Sequence, residues 1–158
     1  RIARARERVL ITNSYFVPRR AVRRALAQAV ERGVAVRILV PTESDVPAVA
    51  HATHYLYEWM LERGIALYEW SGGILHSKTA VVDGEWCTVG TYNFDHRSWA
   101  YNLELNIAVE DVAVAGRLET RMQSDIDASR RVRLDEWRFR PLGERLLEIL
   151  FYRLRRLL

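Results

Sequence analysis

Short apolar runs alternate with helical patterns in the first part of the chain, and this alternation constrains the fold more than any other feature. Residues 9–16, 34–40 and 65–70 have the length and composition of strands. Residues 18–33 and 46–63, which lie between them, carry apolar side chains at helical spacing. Because strands that alternate with helices form parallel sheets, we expect an α/β fold.

The second half of the chain predicts strands that join the sheet differently. Residues 79–82 and 86–89 suit two strands and flank an Asp-Gly turn signal at 83–84, which is typical of a hairpin. Residues 103–109 predict a further strand and residues 111–128 a helix. A hairpin added to parallel strands makes the sheet mixed. We therefore predict an α/β sandwich with a mixed sheet flanked by helices.

The C-terminal segment differs in composition from the rest of the chain. Residues 137–158 mix leucines with arginines, and after Pro141 they have the pattern of one helix with a broad apolar stripe and a basic remainder. Such a helix suits a membrane interface that contains anionic lipid. The alternative is a C-terminal helix packed on the core. We therefore expect a domain of residues 1–136 followed by a basic amphipathic helix of residues 137–158.

The charge of the chain favours anionic partners. Its net charge is +4 and its sequence pI is about 9.6, which suits phosphates, nucleic acid or an acidic membrane face without choosing among them. Four arginines crowd the start of the predicted helix 18–33, where the helix dipole disfavours cations, namely Arg19, Arg20, Arg23 and Arg24. These side chains are either solvated or in contact with an anion or a membrane surface.

Cysteine and histidine usage gives no sign of a metal centre. The one cysteine, Cys87, rules out an internal disulfide, and within a predicted strand we expect it to be a small buried hydrophobe. His51 and His54 lie three residues apart in a predicted helix and could share a face. Because no third ligand lies near them in the sequence, we do not expect them to bind a metal.

One central stretch holds the residues that suggest chemistry. His76 and Lys78 are two apart, so on a strand they share a face, and an ammonium there suits an anion. A neutral imidazole can attack a phosphodiester, while an ammonium and the amide of Asn93 hold the oxygens where charge develops. The histidine needs a carboxylate to fix its tautomer, for which Asp83 and Glu104 are candidates. Each residue alone has an ordinary structural explanation, and only their joint spacing supports this hypothesis.

The spacing resembles a known signature. His76-x-Lys78, then four residues to Asp83, six to Gly90 and two to Asn93, resembles the HKD motif of the phospholipase D superfamily. Other segments resemble the C-terminal lobe of bacterial cardiolipin synthases: YFVP at 15–18, GVAVRILVP at 33–41, LHSK at 75–78, VGTYNFDHRS at 89–98, NLELN at 102–106 and WRFRPLGERLLE at 137–148. The likeness covers nearly the whole chain.

This resemblance implies a fold and a function. The fold is a phospholipase D-like α/β sandwich, one lobe of a two-lobed enzyme. The function is transfer of a phosphatidyl group, through a phospho-histidine intermediate, in phospholipid biosynthesis. The alternative is a phospholipase D-type phosphodiesterase or nuclease whose single-motif lobe works as a homodimer. A non-catalytic module with a relic site is a third possibility, against which the intact motif argues.

The resemblance also implies partners, a location and residue roles. It implies a phospholipid substrate such as phosphatidylglycerol, a peripheral position on the bacterial cytoplasmic membrane, and no cofactor or metal; nucleic acid is a less favoured partner. The implied site residues are catalytic His76, Lys78 and Asp83, phosphate-binding Lys78 and Asn93, and supporting Glu104, Gly90 and Thr91. Glu104 is expected to orient His76, and Asp83 to support the site more than to touch substrate. Gly90 is expected to leave room for the phosphate.

The chain has one HKD motif where a complete site of this superfamily has two. One histidine becomes the phospho-histidine and the other protonates the leaving group, and the sequence does not say which His76 is. Because the resemblance is to a second lobe and the chain begins with arginine, we expect that an N-terminal lobe with the other motif is missing. A homodimer partner is the alternative.

Overall fold

Seven strands form a single mixed sheet in a computed structural model that describes residues 1–158. The strands are β1 (Arg8–Asn13), β2 (Ala35–Pro41), β3 (Ala66–Trp70), β4 (Lys78–Val82), β5 (Trp86–Gly90), β6 (Asn106–Glu110) and β7 (Arg130–Arg131). Their order across the sheet is β6-β5-β4-β1-β2-β3-β7. Strands β1, β2 and β3 pair in parallel, and the remaining pairs are antiparallel. The predicted mixed sheet is confirmed.

Seven helices and a short 3-10 turn at Ile2–Arg4 complete the fold. The helices are α1 (Arg20–Glu31), α2 (Pro47–His54), α3 (Tyr57–Glu62), α4 (His96–Ala100), α5 (Val112–Asp127), α6 (Leu134–Arg138) and α7 (Leu142–Leu154). The single helix predicted for residues 46–63 is two helices, because the chain tightens where Leu56 N donates to Thr53 O at 2.9 Å. This break allows both Leu56 and Tyr57 to be fully buried.

Side chains of the central strands alternate between two cores, as the two-residue period of a strand requires. Val9 and Ile11 face the larger core, to which α1, α3 and α6 contribute. Leu10 faces the opposite core, where it packs with Met122 of α5. Cys87 lies in this second core with 2% of its surface exposed, so the expected buried thiol is confirmed. Helices therefore cover both faces of the sheet, as an α/β sandwich requires.

The C-terminal segment packs on the rest of the chain through aromatic rings. Helix α7 lies against α2, where the rings of His51 and Phe151 stack with centroids 5.4 Å apart and those of Tyr55 and Tyr152 stack at 4.1 Å. Trp137 of α6 belongs to the larger core. The leucines of α7 face outward instead: Leu142, Leu146, Leu147, Leu150 and Leu154 are exposed. The aromatic side of this segment therefore packs on the rest of the chain, while its leucine stripe is open to solvent.

None of the helices combines the length and the apolar composition that a membrane span requires. The sheet topology brings the candidate residues together at one end of the strands. Asn13 at the end of β1 pairs with Lys78 at the start of the antiparallel β4. The central candidate residues therefore lie beyond the carboxyl ends of the parallel strands, where α/β sheets usually place their ligands.

Candidate functional site

Lys78 is the first residue of β4 and the one lysine of the chain. Its Nζ atom donates hydrogen bonds to Ser14 Oγ at 3.0 Å and to the backbone carbonyl of His76 at 2.8 Å. The same atom lies 3.2 Å from His76 Nδ1. The imidazole and the ammonium therefore lie together, as the sequence predicts, although His76 is in the loop before β4 and not on the strand.

Burial and the lack of a carboxylate partner make Lys78 an unusual cation. Only 7% of its surface is exposed, and it takes part in none of the salt bridges of the chain. Loss of water lowers the pKa of Lys78, and the more distant carboxylates of Asp45, Glu104 and Asp95 oppose that effect. The groups that accept hydrogen bonds from this buried ammonium are neutral and do not offset its charge. The ammonium therefore favours an anion such as phosphate.

Asn93 lies in the loop between β5 and α4, where it is buried and its Oδ1 atom has no hydrogen-bond partner. Asn13 holds the residues on either side of it. The Nδ2 group of Asn13 donates to Tyr92 O at 3.2 Å, and its Oδ1 accepts from Phe94 N at 3.1 Å. The Asn93 amide is thus positioned without using its own oxygen. The unpaired Oδ1 atom is an acceptor and suits a hydroxyl donor, whereas a phosphate oxygen would need the Nδ2 donor of the same amide.

Glu104 lies among other polar side chains rather than on His76. Its Oε1 atom accepts from Asn102 Nδ2 at 3.1 Å, and no hydrogen bond joins it to the imidazole. Partial burial raises the pKa of Glu104, but the nearby hydroxyls of Thr91 and Ser98, the hydrogen bond from Asn102 and the charge of Lys78 together hold that pKa below its usual range. Glu104 is therefore a carboxylate at neutral pH. Its role in orienting His76 stays a prediction.

Gly90 is required by the neighbouring strand and not by space for a phosphate. A Cβ atom on Gly90 would lie 2.0 Å from Asn106 Oδ1 and 2.3 Å from Leu105 O. Thr91 continues this close pairing, since its backbone N–H donates to Leu105 O and its Oγ1 accepts from Leu105 N, both at 3.0 Å. The expected reason for Gly90 is corrected accordingly. Both residues fix the chain that leads to Glu104, and their role in supporting the site stays a prediction.

Asp83 lies at the opposite end of β4 from Lys78, so we correct its assignment to the catalytic group. A strand rises about 3.3 Å per residue, which separates these two residues by roughly 16 Å. The carboxylate of Asp83 accepts from three backbone N–H groups, those of Arg6 at 2.9 Å, Glu7 at 2.9 Å and Arg8 at 3.0 Å. Partial burial alone would raise the pKa of Asp83, but these hydrogen bonds hold it below its usual range. Asp83 anchors the start of β1.

Several residues near Lys78 and His76 make contacts that were not apparent from the sequence. Ser14, which accepts from Lys78, follows a strand that lies 64 residues earlier in the chain. Tyr15 donates to Asp45 Oδ1 at 2.5 Å, and burial together with that carboxylate raises the pKa of Tyr15 to about 12. Asp95 caps α4 by accepting from Ser98 N at 2.7 Å, which is a structural role. The signal for Ser14 is a polar residue placed directly after a buried parallel strand.

The histidines of α2 belong to an aromatic cluster. The ring of His54 meets those of Tyr57 and Trp137 edge to face, with centroids 5.0 and 5.4 Å apart. Burial, with smaller contributions from His51 and Arg140, lowers the pKa of His54 to about 4. No group of three or more His, Cys, Asp or Glu side chains is arranged to hold a metal ion. These two histidines serve packing.

The fold and the site together define a phospholipase D-like domain. Nuc from Salmonella typhimurium, a phospholipase D family member, superposes with a TM-score of 0.72 at 23% identity, covering 84% of this chain and 86% of Nuc. Phosphatidylserine synthase from Haemophilus influenzae superposes with a TM-score of 0.77 at 16% identity, covering 99% of this chain and 43% of that enzyme. At these identities the two structures establish the fold.

The sequence identifies one family among the proteins that share this phospholipase D-like fold. Residues 1–126 match the family described as "Cardiolipin synthase, PLD-like domain", and the chain belongs to it. Cardiolipin synthase A of Citrobacter koseri is 37% identical over 148 residues, and that of Klebsiella pneumoniae is 36% identical over the same length. Each match covers 94% of this chain and 30% of the relative. The chain thus spans a little less than a third of these curated relatives.

Proposed function

We propose that this chain supplies one lobe of a phosphatidyltransferase of the cardiolipin synthase type, acting in phospholipid biosynthesis. The observation that carries the proposal is the buried Lys78 ammonium, which is 3.2 Å from His76 Nδ1 and has no carboxylate partner. The buried amide of Asn93 supports it, because its Nδ2 group is a donor that a phosphate oxygen could accept from. Family membership and the curated cardiolipin synthases support the lipid substrate, of which phosphatidylglycerol is the natural first choice.

The chemistry consists of two displacements at phosphorus. The Nε2 atom of one histidine attacks the phosphodiester, so that a P–N bond forms, a P–O bond breaks, and the other histidine protonates the departing alkoxide. An acceptor alcohol then attacks the phospho-histidine, transfers its proton to the second histidine and releases the first. We assign His76 to this pair. Lys78 and Asn93 would hold the non-bridging oxygens, whose charge grows in each transition state.

Phosphate binding and the tautomer of His76 are linked in this proposal. An ammonium can donate to Nδ1 only when that nitrogen carries no proton, and the proton is then on Nε2. Attack through Nε2 needs the other tautomer. A phosphate that draws the Lys78 ammonium to its own oxygens would release Nδ1 to take up the proton and to donate it to a carboxylate. Glu104, which is ionised and close enough to influence Lys78, is the candidate acceptor.

A second lobe would complete the site. His76 is exposed, so nothing in this chain shields a phospho-histidine from water. Strands β5 and β6 and the segment before β6 present large apolar side chains to solvent, namely Val89, Leu103, Leu105 and Ile107. An apolar surface next to an open site suits a covering partner. The greater length of the curated relatives favours a lobe within the same protein.

A homodimer that acts as a phosphodiesterase or nuclease is the second candidate. The observation in its favour is the match to Nuc, of which this chain covers 86%, so the two are similar in extent. The exposed leucines of α7 favour the lipid enzyme over this alternative, because a surface for nucleic acid needs cations and has no use for an apolar stripe. We propose a peripheral position on the bacterial cytoplasmic membrane on the same ground.

Transfer assays on phosphatidylglycerol vesicles test the proposal. The chain alone is compared with a longer protein that carries a second HKD lobe, and activity is expected only in the longer protein. His76→Ala should abolish covalent labelling by a phosphodiester, with His51→Gln as the histidine control. A monomer by light scattering that still transfers phosphatidyl groups would remove the need for a second lobe. Labelling that survives in the His76 variant would put the nucleophile elsewhere.

A further inference from the structure

A second cationic feature lies apart from Lys78. A cleft of about 740 Å³ opens between the start of α1, helix α4 and the end of α7. Five arginines line it, three from α1 and its N-cap and two from the C-terminal end, namely Arg19, Arg20, Arg23, Arg155 and Arg156. Its other lining residues are aromatic or aliphatic apart from His96, and none is acidic. We call this feature the arginine cleft.

The charges of the arginine cleft are not neutralised within the chain. None of its five arginines forms a salt bridge, although seven other arginines do. The Nε atom of Arg23 is buried and has no hydrogen-bond partner. Aromatic rings lie against three of the guanidinium groups instead: Arg19 is 3.6 Å from the Trp99 ring centroid, Arg155 is 4.2 Å from that of Tyr152, and Arg23 is 5.6 Å from that of Trp59. Stacking holds these groups in place, and of the five arginines only Arg155 donates a side-chain hydrogen bond, from Nη1 to Tyr152 O at 2.7 Å.

Helix α1 adds to the same positive field. Its N-cap, Arg19, makes no side-chain capping bond, and its first turn has no acidic residue. The first N–H groups of a helix lack partners within the helix, and its dipole is positive at this end. Arginines placed here are unfavourable unless an anion offsets them. The cleft therefore has the chemistry of a phosphate site.

Apolar groups at the edge of the cleft identify the carrier of that phosphate. Leu157 lines the cleft and is exposed, as are Trp99 and Tyr101 on its other side. The exposed leucines of α7 continue from the same end. Cations beside exposed leucine and aromatic side chains match the interface of an anionic bilayer. We propose that the arginine cleft binds the phosphate of an anionic phospholipid in a membrane, separately from the phosphodiester at His76.

Only the class of lipid in this proposal rests on the proposed function. The test measures binding to vesicles rather than phosphatidyl transfer. Co-sedimentation is measured with phosphatidylcholine vesicles that contain or lack phosphatidylglycerol. The double variant Arg23→Gln/Arg156→Gln removes two charges from the cleft. Its matched control, Arg24→Gln/Arg153→Gln, removes two charges from the same helical regions outside it. Near an anionic surface each arginine contributes about a fivefold change, so the cleft variant should bind about 25-fold more weakly.

The outcomes separate the possible sources of the anion. Binding that requires phosphatidylglycerol and falls mainly in the cleft variant supports the proposal, and an equal loss in both variants overturns it in favour of net charge. Binding of glycerol 3-phosphate or duplex DNA that depends on the cleft, with vesicle binding unchanged, also overturns it. Thermal unfolding checks each variant, and the exposed Arg156→Glu replaces the double variant if that fails to fold. A longer protein with a second HKD lobe that transfers nothing, while the chain still binds vesicles through the cleft, would contradict the proposed function and not this inference.

Discussion

The Nζ atom of Lys78 lies 3.2 Å from Nδ1 of His76, and the ammonium that carries it is buried without a carboxylate partner. We expect this geometry to lower the pKa of Lys78 below its ordinary 10.5, because burial disfavours the charged form. Lys78 is the one lysine, so lysine-selective isotope labelling gives a single side-chain resonance to titrate by NMR. Adding a phosphodiester analogue should raise that pKa. A titration at the ordinary value would contradict the described burial.

Replacing Lys78 should separate stability from activity. A depressed lysine pKa means that charging costs stability below the folded pKa, and that this cost disappears as the pH rises toward the unfolded value. Lys78→Met should therefore leave the thermal midpoint at pH 7 unchanged or raise it. In the longer protein that carries a second HKD lobe, loss of this charged donor should lower transfer by about a hundredfold to a thousandfold. A midpoint that falls by several degrees would mean that the ammonium stabilises the fold.

The anchoring role of Asp83 predicts a stability effect without a catalytic one. Asp83→Ala removes the acceptor for three backbone N–H groups and should cost about 2 kcal/mol or more. Asp83→Asn should cost less, since asparagine tolerates the left-handed backbone there (φ 55°) and keeps one acceptor oxygen. Because the pKa of Asp83 is depressed, its contribution is present above the unfolded pKa and is lost as the pH falls through the folded one.

Chemical denaturation at several pH values measures this effect, with the exposed neighbour Glu85→Gln as the control. Transfer per folded molecule should remain that of the wild type in both Asp83 variants. An Asp83→Asn variant that is fully stable yet inactive would mean that Asp83 does belong to the catalytic group.

Replacement of Gly90 and of Gly116 by alanine should have opposite effects on stability. Gly90→Ala would place a methyl group 2.0 Å from Asn106 Oδ1 and 2.3 Å from the carbonyl of Leu105, so β6 must move, at a cost of about 1–3 kcal/mol. Gly116 lies inside α5 with no atom within 4 Å of an added Cβ, and Gly116→Ala should stabilise by about 0.5–1 kcal/mol. Urea unfolding of both variants checks the opposite signs. Equal effects would argue against close pairing at Gly90.

Local sequence patterns predict the larger elements of this fold well. The parallel strands and the hairpin are bounded by proline, glycine and Asp-Gly signals, and α1 and α5 have clear helical spacing. Strand β7, with two residues, is too short to carry a period. The break between α2 and α3 depends on the tertiary burial of Leu56 and Tyr57, which no local pattern specifies.

The site is predictable only where it is local. His76 and Lys78 are two residues apart, so their contact follows from the chain itself. Ser14 reaches the same ammonium from β1, through pairing that the sequence does not encode locally. Asp83 shows the converse, since it belongs to the motif by spacing and is carried away from His76 by the length of β4. A motif fixes residue identities, and strand geometry decides which of them meet.

The half-buried His54 predicts a loss of stability on mild acidification. Its folded pKa of about 4 lies below the ordinary 6.5, so protonation favours the unfolded chain as the pH falls through this interval. The full difference corresponds to on the order of 3 kcal/mol. Unfolding free energies measured between pH 7 and pH 4 should show this slope, and His54→Phe should remove much of it. An unchanged slope in that variant would assign the effect to other groups.

The ion pair between Arg140 and Glu148 predicts how the C-terminal helix is attached. Their side chains are 11% and 4% exposed, and two hydrogen bonds of 3.1 and 2.7 Å join them. Glu148→Ala leaves a buried guanidinium unpaired and should cost about 3–5 kcal/mol, whereas Glu144→Ala on the exposed face of α7 should cost little. Tryptic cleavage between α6 and α7 should accelerate in the first variant alone.

An apolar replacement of the whole pair tests whether the charge itself is needed. Arg140→Met/Glu148→Leu removes both buried charges, so it should recover most of the stability that Glu148→Ala loses. Denaturant unfolding of the two single variants and the double variant gives their coupling energy. Because the Arg140 guanidinium also lies 3.8 Å from the Trp137 ring centroid, part of its contribution is packing, and methionine retains some of that contact. A double variant no more stable than Glu148→Ala would mean that α7 depends on the ion pair to define its position.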